Sequence, residues 1–397
     1  MRISYFNYLY DLEGASLGSA VKARCLLAAL ANRGHEIAIH WRNSRLVPAP
    51  PEPLTPRGFL KKRLSPWLNF PMSVLRAFRD LRQEWALIEE ERPDLLLVRL
   101  DLGRFSGAVL ARLDRLPLVL EADSPVCYEH RRFLTDRILP PWLPERLELT
   151  MLRAADSVFT PSTTMRRYFV ARGVDPERIR TIENGVDPER FRPLPPSETV
   201  RRELAIDARP VVGFSGSLAA WHDVDGLLEA LDEILRRNEE CTLLVAGSGG
   251  NHAARFEAWS QAPERRERLH WLRRLPHDAM PRVIAAMDVV LLPAPAMPLP
   301  YFSPVKLFEA MAAGCVVVAA RQGQVAEIVQ HGENGWLFEA GDAQDLVRVS
   351  LRALESPARE AIARRARETV VPHYTWDAQA VKLEALLEET LERHLRR

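Results

Sequence analysis

The chain has 397 residues, 47% of them hydrophobic, which is more than one ordinary core takes up, so two domains are expected. Its formal net charge of +1, from 54 basic and 53 acidic residues, excludes the global field that gathers nucleic acid, and no nucleic-acid partner is expected. Cys25, Cys127, Cys241 and Cys315 lie far apart, with neither a CxxC pair nor a Cys/His ligand spacing, so they read as buried small hydrophobes and not as zinc ligands or a disulfide framework.

The opening MRISYFNYLYDLEG lacks a charged segment followed by an apolar one, and no stretch has about 18 uninterrupted apolar residues. A cytoplasmic protein that does not span a membrane is expected. The first candidate strands are Arg2 to Phe6, Glu36 to Trp41, Asp94 to Arg99, Pro117 to Glu121 and Ser157 to Thr160. Between the first two, GSAVKARCLLAALANRGHE has helical periodicity and a stop at Gly34. Strand, crossover helix, strand is the pattern of a parallel sheet with helices on both faces.

Residues 48 to 56, PAPPEPLTP, are expected as an extended loop. The next piece, RGFLKKRLSPWLNF (57–70), mixes Lys61, Lys62 and Arg63 with Phe59, Leu60, Trp67, Leu68 and Phe70. It has two readings, peripheral docking on an anionic membrane or a solvated basic loop. A proline-rich break, FRPLPPS from Phe191, then precedes a second series of strands: Pro210 to Ser215, Cys241 to Ala246, Arg268 to Leu272, Asp288 to Leu292 and Cys315 to Ala319. The expected fold class is therefore α/β, with two Rossmann-like doubly wound domains, 1–192 and 193–372, and residues 373–397 returning to the first. The active site is expected where the carboxyl ends of the two sheets face each other across a cleft.

Within the second series, YFSPVKLFEAMAAG (Tyr301 to Gly314) is a helix with well-specified ends: Ser303 as N-cap, Pro304 at the first helical position and Gly314 just past the end. Such a helix start is a ready site for phosphate. Lys306 in its first turn is unfavourable for the dipole, which points to a facing anion. Glu309 lies five residues beyond Pro304, about 7.5 Å along the axis, roughly the span from a diphosphate to the hydroxyls of its ribose. The alternative is an exposed i,i+3 pair of Lys306 with Glu309.

This stretch, with VAEIVQHGENGWLFEAGD (Val325 to Asp342), resembles the donor-site motif of the family 4 retaining glycosyltransferases, which have the GT-B fold. LLAALANRGHEI, ENGVDPERF, LLVAGSGG and HDAMPRVIAAMDVVLLP also look like that family, and YTWDAQA (Tyr374 to Ala380) resembles its closing helix. The resemblance implies a nucleotide diphosphate sugar (UDP- or GDP-sugar) as donor, a saccharide or lipid-linked acceptor, and no required cofactor or metal. It makes Glu309 the residue that binds the donor ribose, with Ser303, Pro304 and Val305 beside the donor. Tyr301 falls where the family has its first glutamate, so the usual contact to the transferred sugar is altered. The same departure occurs in a Tyr/Phe-Ser-Pro-x-Lys-Leu-Phe-Glu sub-pattern of polysaccharide-assembly enzymes.

Laid on the family's phosphate loop, Gly213 to Asp225 puts Ser217 in the place of an arginine and His222 in that of a lysine, after Gly216. Donor-phosphate contacts are accordingly expected from Gly216, Ser217, His222 and Lys306, against the alternative of His222 as a surface residue at a helix start. The same loop nearly spells a hydrolase nucleophile elbow around Ser215, but Ser217 stands where glycine is required. In the first domain Gly18 and Ser19 end the stretch Gly14 to Ser19, which the family sets against the donor phosphate and acceptor. Glu121 and Asp123 alternate to one side of a strand end, with Asp123 in the place of a family histidine. They are expected to touch acceptor or transferred sugar, unless Asp123 only caps the next turn. Arg99 is a further candidate.

The favoured reading is transfer of a sugar to a hydroxyl with retention of configuration, in polysaccharide or glycolipid synthesis. An epimerase or phosphorylase on the same plan and a non-enzymatic nucleotide-binding scaffold are the alternatives. A dinucleotide-dependent oxidoreductase is disfavoured because no strand is followed by GxGxxG with an acidic residue about 20 positions on.

Overall fold

The computed structural model of the chain describes residues 1–8, 18–41, 56–133, 140, 142–194, 200–204, 206, 210–273 and 275–396, the side chains of 56–66 excepted. The chain divides into two compact units, Met1–Glu183 with Gln379–Arg397, and Asn184–Ala378. The sequence expectation put the boundaries after 192 and after 372.

The first unit holds β1 (Arg2–Asn7), β2 (Glu36–Trp41), β3 (Leu95–Arg99), β4 (Leu118–Glu121), β5 (Ser157–Thr160) and β6 (Ile179–Thr181). They form one parallel sheet in the order β2-β1-β3-β4-β5-β6. The second unit holds β7 (Val211–Ser215), β8 (Thr242–Ala246), β9 (Leu269–Leu272), β10 (Val289–Leu292), β11 (Val316–Ala320) and β12 (Trp336–Phe338). Its sheet is also parallel, in the order β12-β11-β10-β7-β8-β9. Strands such as LLLVR, VVLL and VVVAA are buried along their whole length because helices cover both faces. In each sheet the order reverses beside the first strand, which opens a crevice at the carboxyl ends of β1 and β3 and of β7 and β10.

The ten expected strands are present to within a residue or two. The edge strands β6 and β12 were not expected, because three residues are too few to show a period. A larger correction concerns 57–70. This segment is no loop: it lies within one 36-residue helix, Pro56–Glu91, despite Pro66 and Pro71. Phe70, Ala77, Asp80, Glu84 and Ile88 are buried at helical spacing, so tertiary packing overrides the proline signal. Residues 48–55 of the expected loop lie outside the described residues, and Pro56 begins the helix.

The helix Trp376–Leu395 belongs to the first unit from Gln379 onward. Thr390 and Ser157 are hydrogen-bonded at 2.6 Å, the His35 ring meets Glu384 at 2.8 Å, and Lys382 pairs with Glu183 at 2.7 Å. Ala380, Leu383, Leu386 and Leu387 are buried. Among the described residues no helix is long and apolar enough to cross a membrane.

Candidate functional site

In the second unit the chain leaves β7 through Gly216, whose N–H donates to the carbonyl of Ala246 at 2.9 Å. Gly216 has φ +140, and a Cβ here would lie 3.1 Å from Lys306 Nζ and 3.2 Å from His222 Cε1. The position therefore needs glycine for its backbone and for the two side chains that crowd it. Lys306, in the first turn of the helix Val305–Ala312, donates from Nζ to the Ser215 carbonyl at 3.2 Å and lies 4.7 Å from the Phe214 ring centroid. His222 ends the short turn Ala220–His222, with Nδ1 2.6 Å from the Ser217 carbonyl. That bond places the proton on Nδ1 and leaves Nε2 as an acceptor.

The two groups have no carboxylate partner among the described residues. Burial pushes the Lys306 amine down to about 7, and the more distant Glu309 carboxylate only partly opposes this. Burial, then the Lys306 charge, holds His222 well below its usual value, against the pull of its bond to Ser217. A protonated His222 compensating for the missing lysine of the loop is therefore not the resting state. Two desolvated nitrogens stand at a sheet's carboxyl edge beside the start of a helix, an arrangement in which an anion would restore the charge of the lysine.

The helix itself begins one residue later than expected. Pro304 is the N-cap, with extended φ −76 and ψ 112, and no side chain caps the end. Ser303 does not act as the cap because its carbonyl, not its hydroxyl, is tied down, accepting from Asn184 Nδ2 at 2.5 Å. Ser303 Oγ is buried and makes no hydrogen bond among the described residues. At the other end Gly314 (φ +74) takes the expected place, the N–H groups of Gly314 and Cys315 reaching the carbonyls of Met311 and Ala310. Tyr301 is buried, its ring centroid 4.2 Å from that of Phe302, so a packed aromatic stands at this position.

Glu309 is buried at 7% exposure, one turn beyond the helix start, about 6 Å along the axis from Val305. Its Oε1 meets His277 Nε2 at 2.8 Å, and the exposed pair with Lys306 is not formed among the described residues. His277 and Asn184 were quoted in the sequence only as parts of longer stretches. Their spatial role comes from chain folding across 32 and 119 residues, which no local pattern displays.

In the first unit Glu121 and Asp123 do come together at the ends of β3 and β4, but on a shared pair of cations. Lys22 Nζ lies 2.6 Å from Asp123 Oδ1 and 2.9 Å from Glu121 Oε1. Arg99 donates to Asp123 Oδ2 at 2.9 Å, and the Tyr5 hydroxyl donates to Glu121 Oε2 at 2.7 Å. Burial opposes the Lys22 ammonium, yet Asp123 and Glu121 outweigh it and the pKa rises; conversely, although burial opposes ionisation, Lys22 and Arg99 hold Asp123 well below the usual carboxylate range. Burial, reinforced by Glu121, raises Tyr5. The cluster sets two carboxylates against two cations, with the Asp123 side chain more exposed than that of Glu121 (14% against 3%). Lys22 and Tyr5 were missed because a lone lysine in a helix and a tyrosine in a strand carry no motif. Gly18 and Ser19 open the helix Gly18–Asn32, while Gly14 to Leu17 lie outside the described residues. Among the described residues no group of three or more His, Cys, Asp or Glu could hold a metal ion.

Residues 196–369 match the family model of Glycosyl transferases group 1, and residues 18–190 match Glycosyltransferase Family 4. The sulfoquinovosyl transferase of Arabidopsis thaliana is 27% identical over 70% of this chain and 53% of its own length, so the match spans about half of that relative. Among solved structures, a sucrose-phosphate synthase from Thermosynechococcus elongatus superposes with a TM-score of 0.75 at 20% identity, covering 99% of both chains. The Anabaena protein HepE, in complex with UDP and glucose, superposes at 0.71 and 18% identity, covering 98% of this chain and 100% of its own. These two likenesses carry the fold. Two family models tiling the chain, and a pair of parallel six-stranded sheets shared with such structures, mean that this chain belongs to the glycosyltransferases of the GT-B fold, with a family 4 segment followed by a group 1 segment.

Proposed function

We propose that the protein transfers a sugar from a UDP- or GDP-sugar to a hydroxyl of a saccharide or lipid-linked acceptor, with retention of anomeric configuration, in polysaccharide or glycolipid assembly at the inner face of the plasma membrane. The observation that carries this reading is the convergence of Lys306 and His222 over Gly216, with Glu309 one helical turn away. HepE, which shares the fold, was solved with UDP and glucose, which lends support to a nucleotide sugar as donor, and the sulfoquinovosyl transferase, named for moving a sugar, lends support to sugar transfer.

On this reading the diphosphate lies against the start of the helix Val305–Ala312, where it reprotonates Lys306 and accepts from the Val305 and Lys306 N–H groups. Gly216 and Ser217 give it backbone room, and Ser303 Oγ, buried without a partner among the described residues, supplies one more donor. Glu309 accepts from the two ribose hydroxyls while His277 fixes its carboxylate. As the bond from the anomeric carbon to phosphate breaks, charge grows on the leaving oxygen and the Lys306 ammonium stabilises it. The acceptor oxygen bonds to the same face of that carbon, and its proton passes to the leaving phosphate. No protein nucleophile is required, and Glu121 and Asp123 remain acceptor-side or sugar-side candidates that position rather than attack.

A screen of nucleotide sugars for binding and slow hydrolysis identifies base and sugar together. Removing the Glu309 carboxylate takes away two charge-assisted hydrogen bonds, so Glu309→Ala lowers donor kcat/KM by about 100-fold. Full turnover with unchanged donor binding in that variant would overturn the site.

A further inference from the structure

The long helix Pro56–Glu91 has an outward face unlike that of an ordinary surface helix. Leu68, Met72, Leu75 and Phe78 recur at three- and four-residue steps, and Trp85 follows seven residues on. All are exposed, Leu75 and Phe78 at 60% each and Trp85 at 49%, with Trp67 on the same flank as Phe78 and Trp85 at 41%. Single exposed apolar residues are ordinary, whereas a continuous stripe of six large ones, three of them aromatic, is not.

Between Trp67 and Trp85 the charges of this helix are sorted by sign, the exposed Glu89 and Glu90 following beyond the stripe. Asp80 and Glu84 point inward and are buried; Arg104 donates to Asp80 at 2.7 Å and approaches Glu84 at 3.9 Å. Arg76, Arg79 and Arg82 are exposed, interleaved with the apolar stripe, and among the described residues only Arg79 leans back to Asp80, at 3.1 Å. Between Glu52 and Asp80 the sequence has no acidic residue at all, but it has Arg57, Lys61, Lys62, Arg63, Arg76 and Arg79. In a chain whose net charge is +1 this is a local excess.

We infer that the outward face of this helix, from Trp67 to Trp85, docks in the plane of an anionic lipid surface. Arginine, methionine and aromatic side chains also suit a protein interface; what selects lipid is the run of six basic residues from Arg57 to Arg79 with no acidic one among them, which an anionic surface complements. A lipid interface accepts both: the apolar side chains enter the acyl boundary while arginine stems lie along it and their guanidinium groups reach phosphate. Tryptophans at both ends of the stripe suit the headgroup level. The inference deepens the membrane side of the proposed function, and its failure leaves the nucleotide site untouched.

The test is co-sedimentation of the full chain with vesicles of phosphatidylcholine alone or of phosphatidylcholine mixed with anionic phosphatidylglycerol. Expected is binding to the anionic vesicles only, weakened by salt. Each arginine contributes about fivefold, so the triple variant R76Q/R79Q/R82Q binds about 100-fold less. L75S/M72S loses binding at unchanged charge, with circular dichroism and thermal melting reporting an intact fold. Absence of vesicle binding, equal binding to neutral vesicles, or loss of the apolar pair without effect each overturns the inference. Concentration-dependent self-association abolished by L75S/M72S, with no vesicle binding, reassigns the face to a second copy of this chain.

Discussion

Lys306 carries an unusual burden for a lysine, since burial has brought its amine down to about 7 and no carboxylate among the described residues is in contact with it. A bound diphosphate raises that value, so above pH 7 binding takes up a proton and affinity falls as pH rises, by up to about tenfold per unit. Calorimetry of whichever of UDP and GDP binds, between pH 7.5 and 9 in buffers of different ionisation heat, measures the uptake directly. Lys306→Met is expected to bind weakly and without this pH dependence; a pH-independent affinity in the unsubstituted protein would contradict the assignment. His277 acts through Glu309 and not on the sugar, so His277→Ala should raise donor KM about five- to tenfold at nearly constant kcat, from one lost charge-assisted bond. Glu309 and Lys306 stood out in the sequence as candidates by their offsets from Pro304, and His222 by resemblance to a phosphate loop. The residues that meet the candidates did not stand out, since His277 reaches Glu309, Asn184 reaches Ser303 and Lys22 reaches Asp123 through tertiary folding, and the lowered pKa of His222 follows from burial, which a sequence does not display.

At the level of elements, the crowding at Gly216 makes the loop after β7 intolerant of a side chain. Gly216→Ala places a methyl 3.1 Å from Lys306 Nζ and 3.2 Å from His222 Cε1, inside ordinary contact distance, at a φ that L-residues rarely adopt. It should cost donor affinity at least tenfold, read by the same calorimetry, with modest loss of thermal stability. The network of Lys22, Arg99, Glu121 and Asp123 joins the helix Gly18–Asn32 to β3 and β4. Lys22→Met leaves two buried carboxylates with one cation, and a loss of about 3–5 kcal/mol in urea unfolding is expected. A change below about 1 kcal/mol would mean that water already relieves the charges. Strands of this kind were easy to recognise because helices bury both faces and leave unbroken apolar runs. The Ser-Pro helix was placed one residue early because Ser303 has the right chemistry for a cap but its carbonyl is held by Asn184. The helix Pro56–Glu91 was hidden by its prolines and revealed only by what it packs against.

On the scale of the whole molecule, the first unit is assembled from two distant pieces of chain. Residues 1–183 expressed alone lack Leu383, Leu386 and Leu387, whose burial is worth roughly 5 kcal/mol together. They should give a poorly folded, protease-sensitive product, which a fused or added 379–396 segment restores; a stable, protected 1–183 would show the helix to be dispensable. The same division has a consequence in time. On the ribosome, domains usually fold in the order in which they are made. Here the segment Asn184–Ala378 is continuous and can close its sheet once it has emerged, whereas the unit begun at Met1 waits for residues 379–396. The half of the protein that is synthesised first is therefore the half that is finished last, and until then the faces awaiting Leu383, Leu386 and Leu387 are open to chaperones.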